Sequence, residues 1–288
     1  MFNEIKKSPY LIAEIGINHN GSIETAKKLL DATSATGWNC AKFQKRNPDV
    51  CVPEDQKQKR RETPWGEMSY IDYKYKIEFE KDQYDTIDKL SKERSIDWTA
   101  SVWDYDSLDF MINNYPDIPF LKIPSAVNGS YEFLVDSCKT GYPILLSLGM
   151  TNLKNTDEIL NILNKHSKDF CVMHTNSAYP APNDQLNLSV IPFLIDRYKC
   201  NVGYSGHEID LEPSVIATTL GAKVIERHVT LDHRMWGSDH AASLEVHAMD
   251  MLRKRIFSAN EAIGEPIKKI YDSEKQSIEK LKNNNIKR

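Results

Sequence analysis

Short apolar runs recur along the chain, separated by longer stretches in which apolar residues return with helical spacing. The runs cover 10–15, 40–44, 97–102, 120–123, 144–148, 170–174, 201–205 and 224–228. Most are continuous rather than alternating, as strands buried on both faces should be. Between them, residues 22–35 place Ile23, Ala26, Leu29 and Leu30 on one helical face and close at Gly37. Similar patterns occupy 86–90, 107–115, 130–139, 156–165, 189–198, 212–220 and 248–263. Asn155-Thr-Asp157 predicts a cap ahead of Ile159 and Leu160.

Strand and helix signals that alternate in this way predict a parallel sheet. At 288 residues the closed solution is a (β/α)8 TIM barrel, an α/β fold in a single domain. An open doubly wound sheet satisfies the same alternation, but no GxGxxG follows the first run, which weakens its dinucleotide-binding form. The expected organisation is a catalytic barrel over 1–270 and a charged tail over 271–288, helical at first and fraying from Asn283. One connection stands out. About thirty residues, 45–75, separate the second strand from its helix, and loops that long are usually functional or disordered. This one holds Glu62-Thr-Pro-Trp-Gly-Glu67 and several tyrosines, so it is expected to be ordered over a pocket.

Composition narrows the function classes. The hydrophobic fraction of 40% suits a substantial core, and a net charge of −4 shows no basic field for nucleic acid or an acidic membrane. The first residues lack a secretory apolar core and no apolar run approaches a membrane span, so a cytoplasmic protein is expected. Cys40, Cys51, Cys138, Cys171 and Cys200 are scattered without a CxxC and read as reduced, non-catalytic thiols.

In a barrel of this kind the active site lies where the strands end. The predicted ends are Glu14, Lys42-Phe-Gln44, Ser101, Lys122-Ile-Pro-Ser125, Ser147, His174 to Tyr179, Ser205-Gly-His207 and Glu226-Arg-His228. Lys42 and Lys122 each follow an apolar run, so their stems start inside the barrel and their charges need partners. With the hydroxyls of Ser101, Ser125, Ser147 and Ser205 they would cradle a phosphate or carboxylate. The alternatives are an acidic neighbour for each lysine, or a Schiff-base lysine. His207 and His228 end consecutive strands, and two imidazoles with water and a carboxylate form a common divalent-ion set. His19 and His174 read as structural, and His166 as solvent-exposed. Asp239 is within reach of the same mouth, although a loop Asp usually caps a helix.

Taken together, these residues resemble the sialic acid synthase family, the N-acetylneuraminate synthases with their legionaminate and pseudaminate relatives. The matching stretches are Ile12-Ala-Glu-Ile-Gly-Ile-Asn-His-Asn-Gly21, Lys42-Phe-Gln44, Thr63-Pro-Trp-Gly66, Lys122-Ile-Pro-Ser125, Tyr179-Pro-Ala-Pro182, Gly203-Tyr-Ser-Gly-His207, Ile225-Glu-Arg-His-Val-Thr-Leu231 and Gly237-Ser-Asp-His-Ala-Ala-Ser-Leu-Glu245. The resemblance implies condensation of phosphoenolpyruvate with an N-acyl hexosamine to a sialic acid, with water added and phosphate released. It implies a divalent ion, Mn2+ or Mg2+, on His207 and His228. It matches Lys42, Ser101, Lys122, Ser125, Ser177 and Ser205 to the phosphoenolpyruvate contacts. Gln44, Tyr179 and Asp239 match the sugar contacts, and Glu14 matches the acid beside the metal and the reacting carbons.

Two departures bear on the substrate. Members commonly carry a C-terminal antifreeze-like domain whose arginine reaches the sugar across a dimer, and none is present up to Arg288. The sugar contact is then expected from barrel loops, another chain or a different substrate; a homodimer is left open. After the third strand, Ala100-Ser-Val-Trp103 stands where many members have Ser-Thr-Pro-Phe. A 3-deoxy-octulosonate-phosphate type of condensation is the nearest alternative. It would need a basic pocket from Arg46, Lys59, Arg60 and Arg61, a run that reads more simply as a solvated loop face. A non-catalytic barrel is disfavoured by the intact set of Glu14, both lysines and both histidines. A metal-dependent hydrolase is disfavoured because Ile17-Asn-His19-Asn lacks the HxH pair.

Overall fold

The computed structural model describes residues 1–5 and 8–282. Eight parallel strands pair in chain order: β1 (Tyr10–Gly16), β2 (Cys40–Lys45), β3 (Asp97–Val102), β4 (Leu121–Ile123), β5 (Ile144–Ser147), β6 (Phe170–Thr175), β7 (Asn201–Gly206) and β8 (Val224–Thr230). β8 pairs back onto β1, with Ile12 opposite Glu226 and Glu14 opposite His228, and this closes the barrel. A helix follows each strand: α1 (Ile23–Ala35), α2 (Lys81–Glu93), α3 (Tyr105–Asn114), α4 (Tyr131–Lys139), α5 (Leu153–His166), α6 (Val190–Tyr198), α7 (Glu212–Thr219) and α8 (Val246–Ile263). The expected (β/α)8 barrel is therefore the fold.

Alternation along each strand sorts side chains between two interiors. On β1, Leu11, Ala13 and Ile15 join the layer between sheet and helices. Ile12 instead points into the barrel, where Phe2, Cys40, Phe120, Leu145, Cys171, Met173 and Val224 fill the N-terminal end. Phe2 arrives on a short 3-10 turn, Phe2–Glu4, and is fully buried against Phe120, ring centroids 5.6 Å apart. All five cysteines are free thiols.

Local signals set several boundaries differently from the apolar pattern. α2 begins at Lys81 rather than 86, because Glu80 and Gln83 form a capping box ahead of the first apolar residues. The cap of α5 is Asn152, not Asn155. Asn152 Oδ1 accepts from Asn155 N at 3.0 Å, Asn155 Oδ1 accepts from Asn152 N at 3.3 Å, and the helix starts at Leu153. Ser22 caps α1, its Oγ accepting from Thr25 N at 3.2 Å.

The long connection after β2 has structure of its own. Two helical turns, Pro48–Cys51 and Glu54–Lys57, lead into an antiparallel hairpin of Arg60–Thr63 and Gly66–Ser69, then a helix, Tyr70–Ile77. Tail residues Lys275–Leu281 are helical, and the expected fraying from Asn283 lies outside the described residues. Among the described residues no helix is long and apolar enough to cross a membrane.

Candidate active site

The C-terminal ends of the strands enclose a cavity of about 200 Å³. Its lining includes Glu14, Lys42, Gln44, Ser101, Lys122, Ser125, Ser147, Ser177, Tyr179, Ser205, His207 and His228. The structure thus brings together the residues matched to substrate and metal contacts, except Asp239, which sits at the rim with a carboxylate oxygen 3.8 Å from His228 Nδ1. Register explains the convergence. Glu14 lies opposite Lys42, Gln44 opposite Ser101, Ser101 opposite Lys122, and Ser205 opposite Glu226, so inward residues of successive strands share neighbouring levels.

Both lysines have acidic partners. Lys42 Nζ lies 2.6 Å from Glu14 Oε2 and 3.5 Å from Glu226 Oε1, and donates to Ser101 Oγ at 2.9 Å. Lys122 Nζ lies 3.3 Å from Glu226 Oε2 and donates to Ser147 Oγ at 2.5 Å. The acidic-neighbour alternative therefore describes the lysines' own contacts; of the serines predicted to share an anion, Ser101 and Ser147 already bond the ammonium groups, while Ser205 donates to Glu226 and Ser125 accepts from Gly149 N. Burial opposes the charge on Lys42, but Glu14 and Glu226 outweigh it and raise its pKa. At Lys122 burial prevails over the attraction of Glu226, and the pKa is lowered. Burial would raise the pKa of Glu226, yet Lys122, Lys42 and His228 overcome it and bring it down to about 2.

Glu226, which strand-end reasoning left without a role, is the carboxylate that both lysines share. A signal was present: Glu226 and His228 are two apart on one strand and so share its inward face. Arg227 between them turns outward and pairs with Glu208, Nη1 to Oε1 3.0 Å, both fully buried. Its charge serves the packing of α7 against the barrel rather than the mouth.

On the far wall, Gly149 explains how three hydroxyl-bearing residues approach one another. A methyl there would stand 2.3 Å from Ser177 Oγ, 2.6 Å from Ser125 Oγ and 2.9 Å from Thr175 Cγ2. Only a glycine lets the wall close this tightly, and its N–H donates to Ser125 Oγ at 3.1 Å. On the near wall, Gln44 Nε2 donates to Glu14 Oε1 at 2.9 Å, and its Oε1 accepts from Arg46. Arg46 is held by Glu78 and stacks on Trp103, 4.4 Å from the ring centroid. It is a buried positioning group rather than part of a solvated loop face. Lys59 and Arg60 are exposed and pair with Asp55 and Glu67.

The two histidines have ring centroids 5.5 Å apart. His207 Nδ1 lies 2.6 Å from the Asn176 carbonyl and must donate to it, so Nε2 keeps its lone pair and accepts from the Tyr179 hydroxyl at 2.9 Å. Burial, helped by His228, lowers the His207 pKa to about 3 and keeps this imidazole neutral. His228 Nδ1 is buried with no hydrogen-bond partner. A lone pair, an unsatisfied buried nitrogen and the Asp239 carboxylate suit a divalent ion. Among the described residues no three His, Cys, Asp or Glu side chains are gathered into a preformed metal cage. An ion here would need further oxygen ligands from water or substrate.

His19 and His174 serve the frame. His19 stacks on Phe79 at 3.9 Å and accepts from Gly21 N, while His174 Nε2 meets the Leu186 carbonyl at 2.7 Å.

Comparison with known proteins bears on the family and the fold. The NeuB family model matches residues 29–268. N-acetylneuraminate-9-phosphate synthase of Homo sapiens is 34% identical over 279 residues, 94% of this chain and 76% of that protein. N,N'-diacetyllegionaminic acid synthase of Campylobacter jejuni is also 34% identical, over 94% of this chain and 82% of its own length. The crystal structure of an N-acetylneuraminic acid synthetase from Leptospira borgpetersenii superposes with a TM-score of 0.84 at 25% identity, covering 95% of this chain and 91% of that one. A truncated 3-deoxy-D-arabino-heptulosonate 7-phosphate synthase from Thermotoga maritima shares the barrel at 12% identity, with a TM-score of 0.68. With the family model spanning most of its length and relatives above 30% identity across nearly all of it, this chain belongs to the NeuB family.

Proposed function

We propose that the mouth joins phosphoenolpyruvate to the open-chain aldehyde of an N-acyl hexosamine, releasing phosphate and forming a nonulosonic acid. The observation that carries this reading is the buried cluster of Lys42, Glu14, Glu226 and Lys122, bounded by serine hydroxyls and facing two imidazoles across one cavity. Relatives named as synthases of N-acetylneuraminate 9-phosphate and of diacetyllegionaminic acid support it.

In this reading Lys42 and Lys122 turn from their glutamates toward the phosphate and carboxylate of phosphoenolpyruvate, with Ser101, Ser125, Ser147, Ser177 and Ser205 completing the contacts. Gln44, Tyr179 and Asp239 hold the sugar so that its aldehyde carbon faces C3 of phosphoenolpyruvate. The new carbon–carbon bond forms there from the electron pair of the C2–C3 double bond, and the aldehyde oxygen becomes a hydroxyl with the proton that the attacking water releases through Glu14. Water adds at C2 and gives its proton to Glu14, which Gln44 orients. The tetrahedral phosphate ester then collapses: the C–O bond to phosphate breaks, the C2 hydroxyl proton leaves with the phosphate, and a ketone remains. A Mn2+ or Mg2+ ion on His207 and His228 would supply Lewis-acid polarisation of the aldehyde oxygen and offset the substrate's negative charge, which two lysines balanced by two glutamates cannot.

Phosphate release from phosphoenolpyruvate by the purified protein is expected to require both an N-acyl hexosamine and a divalent ion. Binding of phosphoenolpyruvate without release, whatever the sugar, would reject this reading. The family includes relatives named for phosphorylated and for unphosphorylated products, so the acceptor's phosphorylation has to be decided by this chain's own residues.

A further inference from the structure

A second cavity, of about 730 Å³, reaches Ser238, the residue before Asp239. The long β2 connection supplies Arg61, Tyr70, Tyr73 and Lys74, and the loop after β8 supplies Arg234 and Trp236. The two segments lock together: the Tyr73 ring meets Trp236 edge-on at 5.1 Å, and Asn20 Nδ2 donates to the Trp236 carbonyl at 2.8 Å. Asp239 links the cavities, because its carboxylate faces His228 while its neighbour Ser238 lines the second space.

The charges in this second space are unbalanced. Arg234 is matched by Asp232 at 2.6 Å. Arg61 is stacked on Tyr70 at 4.0 Å, and Lys74 lies over Tyr70 and Tyr73 at 5.2 and 5.4 Å. Neither has a carboxylate within ion-pair distance among the described residues, and the one acid lining the cavity is Glu62. Lys74 is 8% exposed, so its ammonium is held largely out of water beside the like charges of Arg46 and Arg61. Burial first, and then Arg46, lower its pKa to about 8, against the weaker pull of the Asp239 and Glu78 carboxylates. A desolvated cation set against other cations is costly in the empty protein and is relieved by an anion between them. A sugar that reacts at His228 and is held by Asp239 would send its far end into this space.

We propose that the second cavity, built on Lys74 and Arg61, is a subsite for a phosphate at the far end of the acceptor sugar, so that the preferred acceptor is a phosphorylated N-acyl hexosamine. The inference deepens the proposed condensation and rests on it. Arg61 was among the loop cations that the sequence suggested for this purpose; Lys74 was not, and Arg46 stands behind both.

The test compares kcat/KM for an N-acyl hexosamine with that for its 6-phosphate. The wild-type protein is expected to favour the phosphate. The ratio of the two is expected to fall about 10- to 100-fold in Lys74→Met and less in the exposed Arg61→Gln, as loss of charge-assisted hydrogen bonds predicts. Preference for the free sugar, or an unchanged ratio in both variants, would overturn the subsite and leave the condensation standing. Should neither sugar turn over, calorimetric binding of the 6-phosphate still decides: weaker binding in Lys74→Met supports the subsite, and equal affinity overturns it. Arg61→Gln guards against a Lys74 variant that misfolds.

Discussion

The two ends of the barrel interior are built from the same strands and do opposite things. At the N-terminal end Ile12, Cys40, Leu145 and Val224 pack with Phe2 and Phe120 into a dry apolar plug. Two residues further along the same inward faces stand Glu14, Lys42, Ser147 and Glu226, which line the mouth. One step of the strand period therefore separates hydrocarbon from buried charge. The plug offers apolar burial, worth about 25 cal/mol per Å². The mouth imposes desolvation penalties of several kcal/mol per ion, repaid only by close pairing. Stability is concentrated below and chemistry above.

Substitutions should separate the two ends. The largest effect is expected for His207→Ala and His228→Ala, each of which should reduce metal-dependent turnover about a thousandfold or more while the fold persists. Near-normal steady-state rates in either would remove the metal assignment. Next, Lys122→Ala should lower kcat/KM for phosphoenolpyruvate about 100- to 1,000-fold and change the sugar KM little. A change confined to the sugar KM would refute the anion-binding role.

At the other end, Phe2→Ala should destabilise the protein by about 3 kcal/mol in urea unfolding without altering the kinetic constants of folded molecules. Altered kinetics at unchanged stability would mean that plug and mouth are coupled. The smallest effect concerns pH. Burial, then Arg46, lower the His19 pKa to about 3, against about 6.5 for an exposed histidine. The unfolded chain therefore binds a proton that the folded chain refuses between those values. The stability this neutral histidine contributes is complete above about pH 6.5 and is lost as pH falls toward 3. His19→Phe should flatten that dependence by about 1.4 kcal/mol per pH unit, measured by unfolding at several pH values. An unchanged slope would place the acid sensitivity elsewhere, with Glu226 the next group to test.

Much of this was legible in the sequence because it depends on local periodicity. Continuous apolar runs marked all eight strands, and the rule that barrel chemistry gathers at strand ends turned those runs into a site. Glu14, Lys42, Lys122, His207 and His228 needed no partner information to be singled out, since a charged or titratable group closing an apolar run is informative by itself. Helix starts such as Lys81 and Leu153 were misplaced because capping residues, not apolar ones, set them.

What only the tertiary structure decided is which groups meet. The apolar pattern marks a residue as inward or outward but not what lies opposite, because register and barrel closure are set by packing over the whole chain. So Glu226 emerged as the shared partner of both lysines, and Arg227, its neighbour, left for Glu208. Likewise the long β2 connection showed in the sequence only as an anomaly of length and aromatic content. That Lys74 and Arg61 share a cavity with the loop after β8, with no carboxylate in ion-pair distance of either among the described residues, follows from the docking of two loops far apart in sequence, which no local pattern encodes.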